Sequence, residues 1–388
     1  MNNMNLKAGK LISILLALAL IAGTAGCAQS AGNTENAQAA GTEQQAQAAG
    51  TQSTSEKGTE AQDTQAEATT GAQAQAAASS EQIVPTELEI PYTFATKEEG
   101  EELLMSNTEY FDGMTQNDWE FRVGKKGDTR EEYEALARDN IQEFSEEEKA
   151  VIVKYMDHLE KLMEEKGVHL PELEEITFIK TRTEMEAYAE GYTHATQIYI
   201  ADFMPQVMLL GDDVEYSMLE IFAHELFHCM TRSNPDFRKE IYRIIHFTVQ
   251  DEDFELPPSV KEYYISNPDV EHHNSYATFT IGGEPVDCFL AFVTTKHFEN
   301  EGDMFTDSGV TALVPTDGRD MYYTIDDASD FYDILGKNTG YVIDPEECMA
   351  VNFVYAVLYG SNDPEHPFEN PEILDSIIEV LRNETWKE

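Results

Sequence analysis

Between Ala28 and Gln82 the chain contains no Val, Leu, Ile, Met, Phe, Tyr or Trp. Such a stretch cannot form a core, because its small apolar surface does not offset the ~1–2 kcal/mol per residue that ordering a backbone costs. We expect a disordered tether over residues 27–84, and its recurring Ala and Gln are low complexity, not the repeat of a fold. Folding is thereby confined to residues 85–388, which follow the return of apolar residues at Ile83-Val84-Pro85.

Upstream, Lys7 and Lys10 are the only charges of residues 1–26, and an apolar run from Leu11 to Ala22 precedes Gly23-Thr24-Ala25-Gly26-Cys27. A charged start, an apolar middle and small residues at a cleavage site make a secretory signal, and the run is too short to span a bilayer comfortably. The Thr-Ala-Gly-Cys ending resembles a bacterial lipobox. That resemblance implies lipid on Cys27 and an exported chain anchored to the outer face of a bacterial membrane, at the cell surface or in the periplasm.

Residues 85–388 hold 67 acidic and 22 basic side chains, and the whole chain carries a net charge of −49. Nucleic-acid binding needs a basic stripe that replaces phosphate counterions, so that class is excluded. Broad docking on anionic lipid is excluded on the same ground. The acidity reads as a solvated surface that keeps an exported domain soluble. Cysteines stand at 27, 229, 288 and 348. With Cys27 lipidated an odd number remains, so the fold should not depend on disulfides.

The folded part predicts an α+β domain, because helical and strand patterns do not alternate strictly. Residues 85–143 suggest short mixed elements. Ser145-Glu146-Glu147-Glu148 is a capping box, followed by Val151, Ile152, Tyr155, Met156, Leu159, Leu162 and Met163 at helical spacing, so a helix should run to about Gly167. Strands are expected at Ile176–Thr181 and Thr196–Ala201, with a short helix to Gly191 between them. A helix should span about Asp213 to Thr231, and another should start at Asn234-Pro235. A β-rich insert over 250–340 contains a hairpin turning at Gly282-Gly283. Further helices are expected from Asp344-Pro345 to about Gly360 and around Pro371–Leu381.

Inside the second long helix lies His224-Glu225-Leu226-Phe227-His228. Residues four apart sit one turn above each other, so both imidazoles can grip one ion while Glu225 reaches a water beside it. With this composition such a pentapeptide is expected about 0.03 times per chain by chance. A zinc site of this kind needs a third protein ligand and leaves a fourth position to water. No Gly or His lies between Met230 and Asp236, so the short-spaced HExxHxxGxxH arrangement is excluded. A carboxylate from Pro345-Glu346-Glu347-Cys348-Met349-Ala350-Val351-Asn352-Phe353 is the alternative.

On these residues the chain resembles the gluzincin branch of zinc metallopeptidases, in which HExxH is joined by a Glu from a downstream helix. The Glu-x-x-Ala-x-x-Phe pattern is similar to the third-ligand helix of lethal-factor-like peptidases. The resemblance implies a zincin-like fold, Zn²⁺ as cofactor, Glu347 as third ligand and Tyr341 as a donor to the oxyanion. Glu346 remains a competitor, and Glu347 also suits a capping role at the third position of its helix. Gluzincins often carry an acidic residue four after the ligand Glu, where this chain has Val351. The group that orients a histidine must then come from elsewhere, with Asn352 a weak candidate. His272-His273-Asn274 is a second source of an oxyanion donor, and His194 and His246 read as structural. The Thr196–Ala201 strand is expected at the cleft edge, where an extended peptide could pair with it.

The expectation is a lipid-anchored zinc peptidase acting on peptide or protein substrates, with Glu225 as general base. One rival is a zincin-fold surface lipoprotein without activity, binding or structural, marked by a site closed with a fourth protein ligand. Another is a zinc amidase acting on cell-wall peptide.

Overall fold

The computed structural model describes residues 84–127, 129–210 and 214–387. The expected signal peptide, Cys27 and the expected tether up to residue 83 lie outside the described residues.

The domain starts with β1 (Tyr92–Phe94), then α1 (Lys97–Ser106), α2 (Thr108–Gly113), α3 (Gln116–Val123), α4 (Arg130–Asn140) and β2 (Ile141–Gln142). Next comes α5 (Glu146–Glu165), whose Ser145 and Glu148 close the expected capping box and whose apolar stripe is buried. β3 (Ile176–Thr181) follows. The short helix expected before Gly191 is instead one 3₁₀ turn at Glu184–Glu186, ended by Ala187 and Tyr188 at φ of 53° and 64°. The chain then runs as β4 (Gly191–His194) and β5 (Gln197–Ala201).

These strands make one mixed sheet in the order β1-β3-β5-β4, with β2 beside the far end of β3. β1, β3 and β5 are parallel, while β4 is antiparallel to β5. The strand expected at the edge is therefore internal. Ala195, at φ of 49°, reverses the chain so that β4 takes the outer place. All five residues of β5 are consequently buried.

Helices α6 (Met204–Met208), α7 (Glu215–Ser233) and α8 (Pro235–Tyr242) come next, the last capped by Asn234. A second, antiparallel sheet follows, built from β6 (Thr248–Val249), α9 (Pro258–Lys261) as a connection, β7 (Ser275–Ile281), β8 (Glu284–Thr294), β9 (Gly309–Pro315) and β10 (Tyr323–Thr324). The β7–β8 turn needs positive φ at both central residues, and Gly282 and Gly283 supply 61° and 87°. From Cys288 onward β8 is buried on both faces. Cys288 and Leu290 join the main core, while Phe289, Ala291 and Val293 pack with Val260, Tyr264 and Val314 in a core of the insert.

The chain ends with α10 (Phe331–Leu335), α11 (Pro345–Leu358) and α12 (Pro371–Asn383). α11 is buried on nearly every side, as its almost wholly apolar sequence requires. It packs on α7, where the rings of Phe227 and Phe353 lie 5.5 Å apart. The result is an α+β domain with both helices of interest in the core. Cys229, Cys288 and Cys348 are buried and unpaired. Among the described residues no helix is long and apolar enough to cross a membrane.

Candidate metal centre

His224 and His228 occupy successive turns of α7, with ring centroids 4.7 Å apart. The first turn of α11 meets them. Asp344 caps that helix by accepting from the Glu346 N–H. Glu347 is thus not spent on the cap, and its carboxylate turns toward the histidines. Its Oε2 lies 3.0 Å from His224 Nε2 and 3.8 Å from His228 Nε2. Ligand atoms around one tetrahedral zinc sit roughly 3.3–3.6 Å apart, so the two spacings bracket that value. His224, His228 and Glu347 each offer a ligand atom within 4.8 Å of the others.

The donor set fits a metal on a further observation. His228 is fully buried and its Nε2 has no hydrogen-bond partner. Its Nδ1 lies 2.9 Å from Glu346 Oε1, which also accepts from Thr231 Oγ1 at 2.6 Å, while Glu346 Oε2 accepts from the Tyr242 hydroxyl. A proton on Nδ1, held by Glu346, leaves the Nε2 lone pair pointing at Glu347 and His224. A buried polar atom without a partner costs about 1–3 kcal/mol, which an ion at that point would remove.

Glu346 thus faces His228 Nδ1, while Glu347 faces the Nε2 atoms of both histidines. Sequence reasoning searched for such a partner of a histidine one turn after Glu347, and Glu346 stands one residue before. Asn352, the other candidate, donates to Cys348 O and accepts from Asn338, away from both imidazoles.

Charge is arranged to match. Burial raises the Glu347 carboxyl, but the hydrogen bond and charge of His224 bring it down to about 2. Burial opposes protonation of His224 as well, yet Glu347 holds its imidazolium above the ordinary value. Burial pushes His228 down despite Glu346, so a neutral ring faces the site. Glu346, also opposed by burial, is kept below the usual range by its hydrogen bond with His228, helped by the charge of Arg238 and the hydrogen bond from Thr231.

Glu225 is buried beside the histidines. Its Oε2 accepts from Thr193 Oγ1 at 2.7 Å, on β4. Burial pushes its carboxyl up to about 8, with Thr193 opposing and the charge of Glu347 assisting. The other oxygen faces Gly191: a Cβ there would come within 3.2 Å of Oε1. Glycine at the start of the edge strand keeps that oxygen clear.

Tyr341 is 39 % exposed, and its hydroxyl donates to Glu347 Oε1 at 3.3 Å. Burial around the hydroxyl and the negative charge of Glu347 raise its pKa well above the ordinary value. Asn267 Nδ2 donates to the same Oε1. The second source of an oxyanion donor is committed elsewhere: His273 pairs with the Tyr264 hydroxyl, His272 with Asp253, and Asn274 with Arg238. His194 is buried against Tyr110, Tyr192 and Tyr199, and His246 ends a 3₁₀ turn at φ of 63°.

Sequence reasoning missed Thr193, Gly191, Asn267 and Asp269. The last two come from the insert, through a segment fixed by buried charge. Asp118 Oδ2 accepts from the Ser266 N–H and Oγ at 2.9 and 2.7 Å, and Arg122 donates to Ser266 O at 2.7 Å. Arg122 is itself paired with Asp118 and Glu186. Asp269 is raised well above the usual carboxylate range by burial, reinforced by the charges of Glu225 and Glu347.

Comparison with known proteins finds no matching family model, no similar curated protein and no similar solved structure.

Proposed function

We propose that the chain is a zinc-dependent peptidase of gluzincin type, exported and tethered to a bacterial membrane through lipid on Cys27. The observation that carries this reading is the buried, unpartnered Nε2 of His228, oriented through Glu346 toward Glu347 and His224. A zincin-like fold is supported by the mixed sheet, whose antiparallel edge strand β4 is joined through Thr193 to Glu225 of the HExxH helix. The acidic domain surface agrees with a peptide or protein substrate and not with nucleic acid.

His224, His228 and Glu347 would hold the ion. When bound, Zn²⁺ supplies Lewis acidity, which lowers the pKa of a water and polarises a scissile carbonyl. Glu225 Oε1, left clear by Gly191, takes the proton from the attacking water and delivers it to the leaving amine. Thr193 fixes the other oxygen so that the carboxylate does not rotate away. The Tyr341 hydroxyl, held near Glu347 in this structure, turns to the developing oxyanion.

The test is metal content and turnover together on the full chain. We expect about one zinc per chain, lost in His228→Ala and Glu347→Ala, and cleavage of a mixed peptide library. Glu225→Gln should keep the metal and lose hydrolysis. Turnover retained in Glu225→Gln would sink the mechanism, and zinc retained in Glu347→Ala would sink the ligand assignment.

A further inference from the structure

The β-rich insert reaches the candidate metal centre through the side chain of Asn267. Its Nδ2 donates to Glu347 Oε1, while Glu347 Oε2 lies 3.0 Å from His224 Nε2 and 3.8 Å from His228 Nε2. The two oxygens of one carboxylate are thus divided: one faces the histidines and the other faces the insert. Chemistry fixes which end of the amide meets Glu347. Asn267 Oδ1 accepts from the Asp269 N–H at 3.0 Å, and an N–H can only donate. That leaves Nδ2 for the carboxylate, which only accepts when ionised.

We propose that Asn267 is the positioning residue of Glu347: it holds Oε1 back so that Oε2 alone is presented to the ion, and the insert thereby completes the metal centre. This inference rests on the metal reading above. Without the amide, Oε1 is free to swing in beside Oε2 and take the position that a hydrolytic site leaves to water.

The backbone that carries the amide is tied on both sides. Ser266 is fixed by Asp118 and Arg122, and Pro268 O accepts from Arg232 at 3.1 Å. The proline ring fixes its own φ and restricts the residue before it, which is Asn267. Asn267 O also accepts from the Val270 N–H at 3.0 Å. An amide on such a base is placed before any ion arrives. Glu347 is fully buried, and its Oε1 has a second donor in the Tyr341 hydroxyl at 3.3 Å. In the proposed reaction that hydroxyl leaves for the oxyanion, and a buried oxygen left without any donor is costly. Asn267 stays behind, so Glu347 keeps its orientation at the step in which Tyr341 turns away.

The experiment saturates the full chain with Co²⁺ and records its visible spectrum, whose intensity falls when a further ligand atom joins a tetrahedral ion. Asn267→Ala removes the donor, and the expected result is a weaker absorption than in the wild type. A spectrum of N267A superimposable on that of the wild type overturns the proposal. Ser266→Ala loosens the same segment but keeps the amide, so its spectrum should match the wild type. A loss there equal to that in N267A assigns the effect to the segment and also overturns the proposal. If N267A does not fold, Tyr341→Phe decides, because it removes the other donor and leaves Asn267. Unchanged intensity in Y341F supports a hold by Asn267, and a loss means that Asn267 does not hold Oε1 by itself. Failure of the wild type to take up Co²⁺ overturns the metal reading itself, and is distinguished from the other results by the absence of any spectrum.

Discussion

The helix pair α7–α11 and the segment Ser266–Glu271 both converge on the carboxylate of Glu347, and different physics holds each of them. The helix pair is joined by dispersion and burial: Ala223, Leu226, Phe227 and Met230 on one side, Ala350, Phe353 and Val354 on the other, all in the main core. The segment is held by charge, with Arg122 between Asp118 and Glu186 at one end and Arg232 on Pro268 and Glu271 at the other. Apolar packing does not titrate, whereas a polar wall responds to pH and is screened by salt. The proposed metal ligands are therefore on the apolar side, and the Ser266–Glu271 segment beside them is on the responsive one.

The comparison can be broken most directly in the core. Phe353→Ala leaves a cavity beneath Phe227 and should cost about 3–5 kcal/mol in urea unfolding, by the same amount at pH 7 and pH 5. A cost that changes with pH would mean the helix pair is not held as described. On the polar side, Arg122→Leu leaves Asp118 and Glu186 buried without their cation, at an expected loss of about 3 kcal/mol or more. Adding Asp118→Asn in the same chain should recover part of that loss, which a purely steric defect would not allow.

Glu346→Gln sharpens the boundary between the two regions, since it keeps the shape of α11 and weakens the hold on His228 Nδ1. Zinc affinity in chelator competition should fall about 10–100-fold with little change in melting temperature. An unchanged affinity would remove Glu346 from the orienting role. A pH-dependent effect concerns His194, which burial and the charges of Arg232 and Arg122 lower to about 3. An unfolded histidine titrates near 6.5, so between there and about 3 the unfolded chain binds the extra proton. Stability from this group is full above 6.5 and is lost as pH falls, by up to about 1.4 kcal/mol per pH unit. His194→Gln should flatten the stability profile between pH 6 and pH 4.5, and an unaltered slope would rule that contribution out.

Much of the fold was legible where the signal is local. The capping box at Ser145, the glycine pair of the β7–β8 turn and the amphipathic spacing of α5 each act over a few residues, and each element formed where expected. The β4 edge was not legible. It is four residues long, and the reversal after it is made by Ala195 with no Gly or Asn to announce a turn. The helices α1 to α4 are short and weakly patterned, and α3 carries the charges that fix a segment 148 residues away. Such a contact leaves no periodic trace, so Asn267 and Asp269 read as ordinary loop residues.

The sequence by itself determined that His224 and His228 share one helical face, that Glu225 sits beside them, and that an acidic pair opens a later apolar helix. Which member of that pair does what was decided only by tertiary structure. Glu346 and Glu347 are neighbours in the chain and about 100° apart around α11. The docking of that helix on α7, with Phe353 against Phe227 and Tyr242 and Thr231 around Glu346, sends one carboxylate to the far nitrogen of His228 and the other to the open side of both rings. A rotation of one residue would exchange their roles, and no local pattern records that angle.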